Sequence, residues 1–344
     1  MNVLVTGNKG YIGPVLCEML MQNGHTVIGY DTGYYAGGEL YAYPKIHGQI
    51  CKDVRDVTRD DLRGVDAVMH LAGLSNDPLG ELAPGLTEDI NFRGTLLFAL
   101  CAREAGVKRF IYASSQSMYG IADVSQEVEE DSSQKIPVTA YARTKWDAEI
   151  ELMRMSGDGF TITALRPSTV FGASPNLRCD IVFNNLVACA YTTGKIEIKS
   201  DGTPWRPVVH VRDVSNAFIA CLEAPRELVA GESFNIGIMN GNYTVRDLAE
   251  AAQRSVPGST LIFTGEHGAD SRTYRVSFRK ILTRLKDYYK PQWDLDRGGK
   301  ELVGLFRRIN FTEEQFRGRD CIRLKQIRYL LDEHKVNPDL RWTG

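Results

Sequence analysis

"TGNKGYIG", residues 6–13, is the stretch from which the rest of the chain is read. It follows the β-rich run "NVLVT" (2–6) and leads into "YIGPVLCEMLMQNG" (11–24), whose apolar spacing is that of a helix. Gly7, Gly10 and Gly13 recur at intervals of three in this strand-to-helix turn. A dinucleotide turn needs one glycine to bend and one to let a pyrophosphate approach the backbone. A third lets strand and helix pack closely, and the helix N-terminus then faces the phosphates. The spacing departs from G-x-G-x-x-G, so a turn without ligand is the competing reading.

Working outward, "HTVIGYD" (25–31) is the second strand and ends at Asp31. An acid there can accept a hydrogen bond from the adenosine ribose 2′-hydroxyl and would repel a 2′-phosphate, which favours NAD over NADP. "GQICKDV" (48–54) and "DAVMHLAG" (66–73) supply two more apolar runs, and a long helix is expected over "TEDINFRGTLLFALCAREAG" (87–106). "KRFIYAS" (108–114) and "FTITALR" (160–166) continue the alternation. Near-continuous apolar strands separated by helices imply an α/β fold, a doubly wound parallel sheet covered on both faces. From "SPNLRCD" (174–180) a smaller α+β unit begins, and it ends in charged helical segments such as "RLKQIRYLLDEH" (323–334). The expected division is 1–175 with a return segment at about 212–236 for the dinucleotide-binding unit. Residues from about 176 to 211 and from 237 to 344 form the second.

Composition bounds the function. The 344 residues carry a formal net charge of −2, which gives no electrostatic reason to expect nucleic acid or an anionic membrane surface as partner. No apolar run approaches the roughly 20 residues of a membrane span. "MNVLVTG" lacks the regions of a secretory signal. Seven cysteines are scattered without C-x-x-C, a usage that suits reduced thiols in a cytoplasmic protein better than disulfides or a zinc site. No metal site is expected.

At the end of the "KRFIYAS" strand stands "SSQSMYG" (114–120), hydroxyls and an amide with no carboxylate among them. "TAYARTKWDAEIELM" (139–153) then puts Tyr141 and Lys145 four apart, on one face of a helix. A free tyrosine titrates near ~10, so acting as a base near neutrality requires lowering its pKa by about 3, or about 4 kcal/mol. A neighbouring ammonium and the positive nicotinamide of an oxidised cofactor both favour phenolate. A hydroxyl from Ser115 can hold a substrate oxygen beside that tyrosine. An exposed helical pair is the bland alternative for Y-x-x-x-K. Asp53 of "KDV" is placed to reach the adenine edge, and Leu71, Ala72 and Gly73 are small enough to let a cofactor lie close. His70, within an apolar run, reads as a satisfied core histidine.

Together "TGNKGYIG", Asp31, "KDV", "HLAG", "DIN", "SSQSMYG" and "YARTK" resemble the extended short-chain dehydrogenase/reductase family, the nucleotide-sugar epimerases and dehydratases. "ALRPSTVFG" (164–172) and "WRPVVHVRDV" (205–214) extend the resemblance, which fades after about residue 290. It implies a seven-stranded Rossmann domain, a small substrate domain, and a homodimer through a helical bundle, with the stretch after 290 a candidate for dimer contacts. It implies that Ser115, Tyr141 and Lys145 form the catalytic set and that Lys145 also holds the nicotinamide ribose. NAD would be held by Gly7, Gly10, Tyr11, Ile12, Gly13, Asp31, Asp53, Val54, Leu71, Ala72, Gly73, Asn91, Tyr141 and Lys145. Asn91 matches an asparagine that commonly opens the fourth helix, where a structural role is the alternative. The nucleotide-diphosphate sugar would meet Ser115, Ser117, Thr169, Asn184, Asn185, Arg206 and Arg272. Arg206 matches a diphosphate-binding arginine and Arg272 resembles a second, in keeping with the fork geometry of guanidinium groups. Solvated surface arginines are the alternative for both. Thr169 stands where many relatives carry asparagine.

Relatives that eliminate water place Asp-Glu directly after the serine or threonine, where this chain has Gln116 and Ser117. Neither titrates near pH 7, so neither can exchange the protons of an elimination. Family decarboxylases carry a glutamate and keto-epimerases a cysteine at the second of these positions. Hydride transfer is what remains. A nucleotide-sugar epimerase acting through transient oxidation, at C4, is the favoured expectation. An NAD(P)H-dependent 4-keto-sugar reductase would use the same three residues. A dinucleotide-binding sensor without turnover belongs to another class, and an intact Ser-Tyr-Lys set speaks against it.

Overall fold

The computed structural model describes residues 1–75, 83–265 and 273–343. Its centre is a sheet of seven parallel strands: β1 (Asn2–Thr6), β2 (Thr26–Tyr30), β3 (Gly48–Ile50), β4 (Ala67–His70), β5 (Arg109–Ala113), β6 (Thr161–Pro167) and β7 (Glu232–Ile236). The spatial order is β7-β6-β5-β4-β1-β2-β3. This is the doubly wound Rossmann arrangement, with the order reversing between β1 and β4. Thr6 sits opposite Tyr30 on one side and His70 on the other, so the last residues of three strands meet at the crevice.

The β1 side chains alternate as a strand requires. Val3 and Val5 join Leu16 and Leu20 of α1 (Gly13–Gln22), and Leu4 joins Phe98 and Ala102 of α2 (Thr95–Glu104). Ala148 and Leu152 of α3 (Ala140–Met155) lie on the same side as α2. Ala217 and Phe218 of α4 (Val211–Glu223) lie with α1. Both faces are covered, so every residue of β4 is buried and the strand reads as one apolar run.

Beyond the sheet, Thr169–Phe171, Trp205–His210 and Asn242–Thr244 form a three-stranded sheet, and Lys195–Ile198 pairs with Thr260–Phe263. Helices Val182–Thr193, Val245–Ser255 and Leu295–Arg308 surround them, and their buried side chains are continuous with the α1 side of the core. Residues 232–236 return to the large sheet as its edge strand.

Three expectations differ from the structure. "GQICKDV" yields only the three-residue edge strand β3. Asp53 lies beyond it, accepting from Arg55 N at 2.9 Å to cap a 3₁₀ turn, Val54–Asp56, because a side chain bonding its own backbone two residues on competes with the ladder. The helix expected over 87–106 is interrupted by a π turn at Asp89–Gly94, a widened turn of the kind that recurs at functional sites. Residues from 323 onward were expected with the second unit. Instead Ile327 and Leu330 of α5 (Arg323–Asp332), with Val336 and Leu340, pack beside Tyr30, Tyr34 and Leu62 of the first. Their apolar spacing gives this segment a stripe that the Rossmann half covers.

Candidate active site

The glycine turn is shaped by backbone contact. Gly7 has φ +69° and donates its N–H to Tyr30 O at 2.9 Å; a Cβ there would lie 2.9 Å from Ala72 N. At Gly13 a Cβ would lie 2.3 Å from Gly7 O, so only glycine allows α1 to start so close to β1. No side chain caps the first turn of α1, which leaves its N–H groups facing the cavity described below. This uncapped, glycine-lined cradle fits a dinucleotide pyrophosphate. Thr6 Oγ1 accepts from Leu71 N and Ala72 N, each at 3.1 Å, and pairs with His70 Nδ1 at 3.1 Å. His70 Nε2 pairs with Thr95 Oγ1 at 3.0 Å, and burial, with a smaller contribution from the Lys145 charge, pushes its pKa down to about 3. It is a neutral core histidine.

Asp31 accepts from Lys9 N at 3.0 Å and Gly33 N at 2.7 Å, tying the end of β2 to the glycine turn. Burial raises its pKa above the ordinary carboxyl value, with the two amides opposing. Asp53 holds Arg55 at 2.7 Å. Burial opposes ionisation there, but Arg55 and its backbone N–H outweigh it and leave the carboxyl below its usual range.

A cavity of about 780 Å³ runs along the carboxyl ends of the strands. Its wall brings together Gly7, Gly10, Tyr11, Ile12, Gly13, Asp31, Asp53, Val54, Leu71, Ala72 and Gly73 with Ser115, Ser117, Tyr141, Lys145, Thr169, Asn185 and Arg206. Thr139 caps α3 by accepting from Ala142 N at 3.2 Å, which sets Tyr141 in the first turn and Lys145 one turn later on the cavity side. Lys145 Nζ donates to Ala113 O at 2.9 Å and lies 4.9 Å from the Tyr112 ring centroid; burial lowers its pKa to about 8. Ser115, at the end of β5, accepts from Ser117 N at 3.1 Å and donates to Ser117 Oγ at 3.0 Å.

Beneath this wall is a buried polar network. Glu149 of α3 pairs with Arg166 at 2.5 Å and accepts from Ser114 Oγ at 2.5 Å. Arg166 donates to Tyr119 OH at 2.9 Å, which donates to Asn235 Oδ1 at 2.9 Å. Gln116 donates to Arg166 O at 3.0 Å and accepts from Ser168 Oγ at 3.2 Å. Buried and held at both ends of its amide, Gln116 is a brace of the loop.

Two expected contact residues stand behind the wall. Asn184 is fully buried; its amide donates to Tyr11 OH and Arg178 O, each at 2.9 Å, and accepts from Gly172 N at 3.0 Å. Asn91 clamps the Leu74 backbone, accepting from N at 2.8 Å and donating to O at 3.0 Å. Both are buried amides satisfying backbone groups, which composition cannot distinguish from ligand contacts. Arg272 lies outside the described residues.

Among the cavity residues that escaped the sequence reading are Tyr34, Tyr35, Arg178 and Arg323. Arg178 is bidentate to Asp180, at 2.9 and 3.1 Å, and reaches Ser75 O and Oγ at 3.3 Å. Arg323 comes from α5. The tyrosines sit in "DTGYYAGG", a stretch to which the sequence assigns no role, and Tyr34 OH donates to Leu340 O. Only the tyrosine-rich composition hinted at them.

A doubly wound sheet with a glycine cradle, an acid ending β2 and a hydroxyl-tyrosine-lysine wall defines a dinucleotide-dependent enzyme of the extended short-chain dehydrogenase type. The model of the NAD dependent epimerase/dehydratase family matches residues 3–237, and the chain belongs to that family, whose cofactor is NAD. A UDP-glucose 4-epimerase of Lactobacillus helveticus is 30% identical over 284 residues, covering 77% of this chain and 84% of the relative. The UDP-glucose 4-epimerase of Bacillus subtilis is 27% identical over 341 residues, covering 88% and 94%. The solved UDP-glucose 4-epimerase of Thermotoga maritima, crystallised with UDP-glucose, superposes with a TM-score of 0.76 at 24% identity, covering 90% of this chain and 99% of that one.

Proposed function

We propose that this protein is an NAD-dependent nucleotide-sugar epimerase that inverts a sugar carbon, C4, by transient oxidation through Ser115, Tyr141 and Lys145. The observation that carries the reading is the cavity wall itself. Lys145 and Tyr141 share it with Ser115, and the residues at 116 and 117 offer no carboxylate for elimination. When bound, NAD supplies an acceptor and later a donor of hydride. Tyr141 takes the proton from the sugar hydroxyl as that carbon is oxidised and returns it when the carbon is reduced on its other face. Ser115 Oγ holds the reacting oxygen, and the Lys145 ammonium favours the phenolate. Asn185, Thr169 and Arg206 line the part of the cavity assigned to the nucleotide diphosphate.

A panel of nucleotide sugars with chiral product analysis and NADH absorbance tests this. Interconversion of C4 epimers without net NADH change is expected. Stoichiometric NADH consumption with a keto sugar would replace the epimerase with a reductase, and cofactor binding without turnover on any sugar nucleotide would leave a sensor.

A cytoplasmic homodimer is part of the same proposal. No helix among the described residues is long and apolar enough to cross a membrane. Leu97 and Leu100 of α2 are each 39% exposed and three residues apart, which suits a helical-bundle contact. Leu100→Glu should shift the mass in solution from dimer to monomer, as read by light scattering.

A further inference from the structure

Arg323 enters the cavity wall from α5 and is 3% exposed. Its Nη2 donates to Asn176 O at 3.1 Å and its guanidinium carbon lies 3.7 Å from the Tyr35 ring centroid. Among the described residues no carboxylate stands within ion-pairing distance of it. A guanidinium carries five donors in a fixed fork, and one carbonyl and one ring leave most of them unused. A buried charge without a counter-charge is strongly unfavourable. Burial lowers the Arg323 pKa and outweighs the opposing pull of Tyr35 and Asp180, with Arg178 adding to the lowering. Asp180, paired directly with Arg178, acts on Arg323 only at longer range, so Arg323 has no carboxylate in direct contact.

The position says where that charge comes from. Asn176, which accepts from Arg323, also donates to Lys9 O in the glycine turn. On the same side Lys9 N is held by Asp31. Arg323 therefore borders the turn whose uncapped helix N–H groups suit a pyrophosphate, whereas Arg206, the candidate for the sugar nucleotide, stands on the separate strand Trp205–His210.

We propose that Arg323 is a cofactor-binding residue whose guanidinium pairs with the diphosphate of the bound dinucleotide, making α5 a wall of the cofactor site. This rests on the cavity being the NAD site. Isothermal titration of the full chain, freed of nucleotide, with NAD, ADP, adenosine and UDP tests it for the wild type, Arg323→Gln and Arg323→Lys. Arg323→Gln should weaken NAD and ADP by roughly 10- to 100-fold and leave adenosine and UDP unchanged. Arg323→Lys, a point charge without the fork, should fall between, and it carries the test if the glutamine variant fails to fold. Equal losses for ADP and adenosine would reduce Arg323 to a packing role and overturn the assignment. A loss confined to UDP would move it to the substrate diphosphate and overturn it too. Unchanged NAD binding by Arg323→Gln would sink this assignment alone, while a wild type that binds no NAD would sink the cofactor reading beneath it.

Discussion

Tyr141 and Lys145 do different work although they share a helix face. On the proposed mechanism Tyr141→Phe removes the proton carrier and keeps the ring, so turnover should fall by at least about 100-fold while NAD stays bound. Sugar conversion and cofactor content per chain check both halves. Lys145 is charged at a cost, since its folded pKa of about 8 lies below the ordinary 10.5. Below pH 8 folded and unfolded chains both hold the proton, and the full penalty of burying it is present. Between pH 8 and 10.5 the unfolded chain binds a proton that the folded chain has released, so the unfolding free energy climbs with pH. Denaturation of wild type and Lys145→Met across this window should show the wild type gaining, relative to the variant, on the order of 3 kcal/mol at most. A flat difference would mean that the lysine is not buried as a cation. Local spacing groups Ser115, Tyr141 and Lys145 in the sequence, and all three line the one cavity. Asn184 and Asn91 were misplaced because a buried amide that satisfies backbone has no local signature. Arg323 was invisible because Asn176 and Tyr35, which hold it, are far away along the chain.

The elements of the Rossmann half follow from pattern, since apolar runs and amphipathic segments report their own surroundings. The π turn at Asp89–Gly94 does not, and its Asn91 makes its contacts with Leu74 of another segment, which local pattern cannot report. The glycine turn is the element where one methyl group matters most. In Gly13→Ala the new Cβ would meet Gly7 O and the Asn8 backbone, atoms that cannot swing aside. Overpacking of this kind costs about 1–3 kcal/mol, so the variant should melt lower and lose NAD. Thermal unfolding with and without NAD measures both. A variant that melted lower yet kept its cofactor would show that α1 shifts without disturbing the cradle. The Glu149–Arg166 pair links α3 to β6 and, through Tyr119 and Asn235, to β7.

On the scale of the whole molecule the segment from 323 to 342 packs over the end of β2 and the loop after it. Trp342 Nε1 donates to Thr32 O at 2.8 Å, Arg55 donates to Asp339 O at 2.9 Å, and Gln326 donates to Tyr34 O at 2.9 Å. Deleting residues 335–344 removes Val336 and Leu340 from the core, at about 1.5–3 kcal/mol each, and uncovers Tyr34. The deletion should lower the melting temperature by several degrees and speed NAD exchange, as followed by competition with a fluorescent analogue. Unchanged exchange would show that the segment is scaffold only. Composition offered a charged helix here and nothing about where it docks, because docking depends on surfaces that form only once the sheet exists.

The partners Tyr34 and Leu340 are separated by 306 positions. During synthesis the seven strands, complete by residue 236, can assemble before residue 340 is made, since early segments fold first. The Tyr34 hydroxyl can therefore find its carbonyl partner only after residue 340 emerges. Sheet assembly and the fixing of Tyr34 become successive events in the life of each polypeptide.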